Sequence, residues 1–170
     1  MLTPDGVAAL LAARRAEAPA ADAHRRRIFG FFGRAWPLAG GGGPKYDFHD
    51  TAPGPAPIAL TIALLTRRSL CAETAARAGL MADVVAGGKP LWNGEDIFHS
   101  LVATRLTGLL PEILPAAGTT APLASWGAAV STRTNRLSAH FAYRDRFLRA
   151  AIQRLGLDGL YGTPRPAADA

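Results

Sequence analysis

The sequence is poor in cysteine, in long apolar runs and in acidic residues, and each shortage excludes a class of protein. Cys71 is the single cysteine among 170 residues, so no disulfide can form within the chain. We expect it to be a small buried apolar residue. The longest apolar run, residues 58–65, is too short to cross a bilayer and contains Thr61. The ligand spacings of zinc fingers and the pattern of a helix-turn-helix are also absent.

The shortage of acidic residues makes the chain basic. It has 19 Lys and Arg against 13 Asp and Glu, a net charge of +6 and a pI of about 10.4. This balance favours anionic partners. The one dense basic run, residues 25–27, has no aromatic recognition residues beside it and is more typical of a solvated face or of a strand entry. We therefore expect no nucleic-acid partner.

Length and periodicity predict one α/β domain with an unusually small sheet. Helices are predicted over residues 5–20, 69–79, 97–106 and 139–155, and strands over residues 27–32 and 58–65. Long loops fill residues 33–57 and 109–135, and residues 84–90 form a turn. Thr3 is the predicted cap of the first helix. The two strands have no evident partners, which predicts an incomplete domain or one that needs another chain.

Two stretches carry the chemistry. Residues 93–103 place Asn93 and two adjacent carboxylates, Glu95 and Asp96, at the start of an amphipathic helix. Further along, His140 and Arg144 lie four residues apart, on one face of the last helix. A carboxylate pair, an imidazole and a guanidinium brought together would suit a phosphate-bearing, metal-assisted substrate.

Each of these residues also has a structural interpretation. Asn93 is a good N-cap, and Asp96, three residues later, occupies the position of a capping-box acid. Arg144 could be a surface residue beside Asp145, and a helix histidine such as His140 is often partly buried without a further role. These alternatives stay open from the residues alone.

Four blocks in order resemble the exostosin-type glycosyltransferases, glycosyltransferase family 64. Residues 27–34 (Arg-Ile-Phe-Gly-Phe-Phe-Gly-Arg) are similar to the family's Arg-Ile-Val-Gly-Phe-x-x-Arg, and residues 59–64 to its strand of Leu, Thr and Ala. Residues 93–97 with Leu-Val-Ala at 101–103 resemble its acidic block and the helix that follows. Residues 140–144 match its His and Arg four positions apart.

The resemblance implies a GT-A fold. The implied reaction is transfer of a hexosyl or N-acetylhexosaminyl group from a UDP-sugar to a glycan or glycolipid, with retention of the anomeric configuration. It would require Mn²⁺ or another divalent metal. Residues 1–162 would be the C-terminal portion of such a domain, and residues 163–170 a disordered tail. Family members act in the lumen of the Golgi and endoplasmic reticulum. The implied roles are catalysis for Asp96 and Glu95, substrate binding for Asn93 and Arg144, and metal ligation for His140.

The chain also departs from the family. No Asp-x-Asp metal motif lies where the family would need it, so the chain resembles the acceptor-side half, and we expect either a missing N-terminal half or a second copy of the chain as partner. Membrane association would come only through segments outside this sequence. Gly94 stands where the family has Cys. The alternative functions are a non-catalytic basic module for acidic glycan or nucleic acid, through residues 25–27, 67, 68, 133 and 136, and a truncated product that does not fold stably.

Overall fold

The computed structural model describes residues 3–16, 27–35, 44–46, 51–86, 94–116 and 137–161. In this part of the chain the helices are α1 (Pro4–Ala16), α2 (Arg68–Arg77), α3 (Ala82–Ala86), α4 (Glu95–Thr107), α5 (Leu137–Arg154) and α6 (Asp158–Tyr161). The strands are β1 (Phe29–Gly30), β2 (Gly33–Arg34), β3 (Gly54–Pro55), β4 (Ile58–Ala59), β5 (Leu64–Leu65) and β6 (Glu112–Ile113). The chain is therefore α/β.

The strands form two small sheets. One has the order β3-β6-β1-β5, in which β1 runs parallel to β6 while the other two pairs are antiparallel; β2 and β4 form an antiparallel pair. Arg27, just before β1, binds across the first sheet to the Glu112 carboxylate at 2.6 Å and to the carbonyl of Leu110 at 3.2 Å. The predicted strands thus pair with each other and with two strands that the sequence did not reveal.

An irregular bulge separates the two sheets. Gly30 pairs with Leu64 and Gly33 pairs with Ala59, so two residues on one side face four on the other. The excess is absorbed by a 3-10 turn over Thr61–Ala63. Backbone hydrogen bonds continue across it, from Phe31 N–H to the Ala63 carbonyl at 3.2 Å and from Leu60 N–H to the Phe32 carbonyl at 2.8 Å. The predicted strand 58–65 is consequently broken in its middle.

Helix α4 is the centre of the molecule. All nine residues from Asp96 to Thr104 are buried, not only the predicted apolar stripe. Its polar side chains are satisfied there: Ser100 Oγ accepts the Ala59 N–H at 3.0 Å, and Thr104 Oγ1 donates to the Ser100 carbonyl. Gly108, with φ 71°, ends the helix in the left-handed conformation that favours glycine.

The main core lies where α4 packs against α5 and β4, and it includes Ile58, Leu101, Leu148 and Ile152. A second, smaller cluster joins α1 to the sheet through Leu10, Phe29, Phe31 and Ala63. The predicted cap of α1 is confirmed, because Thr3 Oγ1 accepts the Gly6 N–H at 3.1 Å.

Some predicted elements are wrong. Strands β2 and β3 lie within the predicted loop 33–57, and β6 lies within the predicted loop 109–135. The helix predicted over residues 69–79 begins one residue earlier and gives way to a 3-10 turn, Ala78–Met81, and then to α3, which occupies part of the predicted turn 84–90. The tail 163–170 lies outside the described residues.

Candidate functional site

A buried ion pair joins the two sequence motifs. Asp96, in the first turn of α4, and Arg144, in the middle of α5, are separated by 48 residues in sequence. Arg144 Nη2 donates to Asp96 Oδ2 at 2.7 Å, and both side chains are about 95% or more buried. The other oxygen, Oδ1, accepts the Ile97 N–H at 2.9 Å. Arg144 is therefore no surface residue, and Asp96 is more than a helix-cap carboxylate.

Tyr46 covers the guanidinium. Its hydroxyl accepts a hydrogen bond from Arg144 Nη2 at 2.9 Å, and Arg144 Cζ lies 4.1 Å from the centre of its ring. The backbone N–H of Tyr46 donates to Asp145 Oδ1 at 2.6 Å, so the residue after Arg144 holds the tyrosine in place. Tyr46 belongs to the segment predicted to be a long loop, and its residue type gave no signal of this role.

Arg34 brings a second cation to the cluster. It is 8% exposed at the end of β2, and its positive charge acts on the Tyr46 hydroxyl. The buried cluster therefore contains two guanidiniums and one carboxylate. Burial raises the pKa of the Tyr46 phenol, while the charges of Arg144 and Arg34 act to lower it. Guanidiniums of this kind bind the oxygens of phosphates and carboxylates.

Burial also governs the ionisation of Asp96. Desolvation raises the pKa of this carboxyl above its usual value, and the charge and hydrogen bond of Arg144 act in the opposite direction. The nearby Glu95 carboxylate raises the pKa of Asp96 further. A buried carboxyl with a perturbed pKa beside a charge partner is a physical mark of a functional site.

His140 lies one helical turn before Arg144 and is 3% exposed. Burial and the neighbouring Arg144 charge both lower its pKa, so the imidazole is neutral at pH 7 and able to ligate a metal. Among the described residues, however, no group of three His, Cys, Asp and Glu side chains lies close enough to hold a metal ion. This set does not fit Mn²⁺ by itself, and the metal stays a prediction from the resemblance.

The two remaining predicted residues take other positions. Glu95 is exposed, and its carboxylate accepts a 3.4 Å hydrogen bond from Thr61. Asn93 lies outside the described residues; the cap position predicted for it is taken by Gly94, which makes no side-chain cap. A Cβ on Gly94 would meet the Phe147 ring at 2.8 Å, so helix α5 leaves no room there for the cysteine of the resembled family.

A cavity of about 810 Å³ opens on the other side of this helix start. Apolar residues from four helices and the sheet line most of it, among them Leu64, Ala75, Met81, Val85, Phe98 and Phe147. Glu95 lies on its wall. Cys71 lines it too and is exposed, so the expectation of a buried cysteine is wrong. Sequence reasoning did not find this cavity, because its wall combines residues from distant segments.

No helix among the described residues is long and apolar enough to cross a membrane. Comparison with known proteins adds no relative: no protein-family model, no curated protein and no solved structure matches the chain.

Proposed function

We propose that the chain is the acceptor-side part of a metal-dependent, retaining glycosyltransferase that uses a UDP-sugar. The observation that carries the proposal is the buried pair of Asp96 and Arg144. These residues come from two of the blocks on which the family resemblance rests, and Arg34, from a third block, joins the same cluster through Tyr46. A chance resemblance in separate blocks has no reason to converge on one buried cluster of charge.

The cost of burying these charges argues in the same direction. A buried ion pair is rarely more stable than apolar residues of the same volume, so its presence points to a use other than stability. The guanidiniums of the cluster would favour a diphosphate leaving group, because they match the geometry of phosphate oxygens. Arg144 in particular could present a planar fork of donors to phosphate oxygens.

Asp96 would act on the acceptor and on the reacting sugar. Each carboxylate oxygen accepts one hydrogen bond within the protein, which leaves a lone pair on each for an acceptor hydroxyl. The same carboxylate would stabilise positive charge that develops on the sugar ring. Glu95, next to it, raises the pKa of Asp96 and so tunes its ionisation. The resemblance assigns His140 to a metal, for which the described residues offer no group of three ligands.

Calorimetric titration of UDP with Mn²⁺ into the purified chain tests the proposal. We expect weak but measurable binding that falls about 10- to 100-fold in Arg144→Lys, because lysine keeps the charge and loses the fork. His140→Ala should reduce the dependence on Mn²⁺. Asp96→Asn should leave UDP binding in place, since it removes no positive charge, and should abolish transfer in a complex that is competent for it.

The matched control is Asp83→Asn. Asp83 also pairs with an arginine, Arg154, at 2.5 Å, but this pair is more exposed and belongs to neither motif. We expect no change in UDP binding. A chain that is folded by circular dichroism and binds no UDP, or that binds equally well as Arg144→Lys, would contradict the proposal.

The alternative of a basic binding module has less support in the described residues. Arg27, from its predicted surface, is paired with Glu112. Residues 25, 26, 133 and 136 lie outside the described residues. Affinity for an acidic polymer that falls steeply with salt and is unchanged in Arg144→Lys would favour this alternative over the transferase.

A further inference from the structure

The apolar cavity beside α4 has the form of a small-molecule site. Its volume of about 810 Å³ lies within the range of pockets that enclose drug-sized ligands, and such pockets combine an apolar wall with a few convergent polar groups. Here the wall comes from α2, α3, α4, α5 and the turn between α2 and α3. Ala75 on its rim is exposed, which shows that solvent reaches the cavity.

The polar part of the wall is a hydrogen-bonded relay centred on His99. Thr74 Oγ1 donates to the Leu70 carbonyl at 2.9 Å, so it can only accept from His99 Nδ1, which lies 2.8 Å away. Burial lowers the pKa of His99, so the ring is neutral and Nε2 carries a lone pair. Thr66 must then donate its hydroxyl to Nε2, at 2.9 Å.

This relay determines which hydrogen-bonding groups of a ligand can find a partner in the cavity. The protons of Thr66, Thr74 and His99 are all used within the relay, which leaves the Thr66 oxygen able only to accept a hydrogen bond. Among the described residues that line the cavity, Glu95 is the one that carries a charge, and the Thr61 hydroxyl already donates to it. The relay and Glu95 therefore offer acceptors, and the hydroxyl of Tyr143, which also lines the cavity, can donate or accept.

We propose that this cavity binds a lipophilic amine, with the apolar body against Met81, Val85 and Phe147 and the protonated amine toward Glu95. An ammonium supplies three donors and a positive charge, the complement of the wall. A carboxylate would meet Glu95 with a like charge. The inference shares Glu95 with the proposed transferase but does not rest on the transfer reaction, because it depends on the cavity and on the charge of Glu95 alone.

A matched ligand series tests the headgroup and the body separately. Hexylamine, octylamine and decylamine are titrated calorimetrically at pH 7, below their aggregation limits, alongside decanol and decanoate. Affinity should rise about fourfold for each added methylene, since each removes apolar surface from water. Decylamine should bind more tightly than decanol, and decanoate most weakly.

Decanoate binding as tight as that of decylamine would overturn the proposal. It would assign headgroup recognition to Arg146, whose Cζ lies 5.6 Å from the ring of the lining residue Tyr143. Affinity that does not depend on chain length would equally contradict an apolar site.

Two variants on α2 locate the binding. Ala75→Trp would fill the cavity from its rim and should abolish binding of decylamine. Ala76→Trp, on the same helix and also exposed but not lining the cavity, is the control and should leave the affinity unchanged. Equal binding by both variants would show that the amphiphile adheres elsewhere on the surface.

Glu95→Gln and Cys71 supply two further readouts. Glu95→Gln should weaken the binding of decylamine about threefold or more while leaving the binding of decanol unchanged, because only the charge is removed.

Cys71, the single cysteine and part of the lining, should be alkylated more slowly when decylamine is bound. An alkylation rate that decylamine does not change would place the ligand outside this cavity.

Discussion

At the scale of single residues, substitution of one partner of the buried Asp96–Arg144 pair should lower the stability of the fold. Asp96→Ala would leave the Arg144 charge buried beside Tyr46 without its carboxylate. We expect the free energy of unfolding to fall by about 3–5 kcal/mol, mainly because a buried guanidinium loses its carboxylate. Urea denaturation followed by circular dichroism at pH 7 measures it.

The double variant Asp96→Ala/Arg144→Met separates loss of the pair from loss of packing. Replacing both partners removes the buried charge, so the double variant should recover a large part of the stability that the single variant loses. The control, Asp83→Ala, breaks an exposed pair that solvent screens and should change stability little. Strictly additive effects of the two site substitutions would show that Asp96 and Arg144 are not coupled.

At the residue scale, local chemistry was sufficient to single out three of the side chains that the structure buries, while their predicted roles stay predictions. Asp96, His140 and Arg144 drew attention because their types and spacings are those of polar sites, and the structure buries all three. Tyr46 could not be found in this way, since its role depends on a hydrogen bond to a residue 98 positions away. Glu95 was expected to act together with Asp96 at one site. Consecutive helix residues point in different directions, however, and Glu95 lines the cavity instead.

At the scale of elements, helix positions were predictable and strand pairing was not. The boundaries of α4 and α5 follow from apolar periodicity and differ from expectation by a few residues at each end. The strands are two residues long and their partners are distant in sequence, so no local pattern specifies them. In residues 58–65 Thr61 is the one polar residue, and the mismatch in length with β1 and β2 breaks the predicted strand.

The contact between α4 and α5 depends on the absence of a side chain at Gly94. In Gly94→Ala the new Cβ would lie 2.8 Å from the Phe147 ring, so the two helices must separate or the ring must move. We expect a loss of about 1–3 kcal/mol in the free energy of unfolding, the usual cost of overpacking a core. Thermal or urea denaturation provides the measurement.

Gly79→Ala is the matched control for this contact. A Cβ on Gly79 meets nothing within 4 Å, and the residue lies in the 3-10 turn after α2. This substitution should be neutral or stabilise the chain by up to about 1 kcal/mol through the lower entropy of its unfolded state. Adding Phe147→Leu to Gly94→Ala should restore part of the loss, and failure to do so would place the strain elsewhere.

At the scale of the whole molecule, acid should destabilise the fold through its buried histidines. Burial lowers the pKa of both His99 and His140 below the ordinary value of 6.5. The unfolded chain therefore binds more protons than the folded one at and below pH 6.5. The stability that each neutral imidazole contributes is complete above pH 6.5 and is lost as the pH falls toward the folded pKa.

The expected slope is at most about 1.4 kcal/mol per pH unit for each histidine, between pH 6.5 and its folded pKa. Urea denaturation at half-unit steps from pH 7.5 to 5 measures it in the wild type, in His99→Gln and in His140→Gln. Each variant should lose the share of the slope that belongs to its histidine.

The raised pKa of Asp96 changes stability in the opposite direction, because protonation on acidification relieves a buried charge. This contribution is common to all three proteins. Asp83, with a pKa lowered to about 2, stays ionised over this range. An equal slope in all three would show that neither imidazole is held neutral by burial, and would remove the basis for assigning the proton positions in the His99 relay.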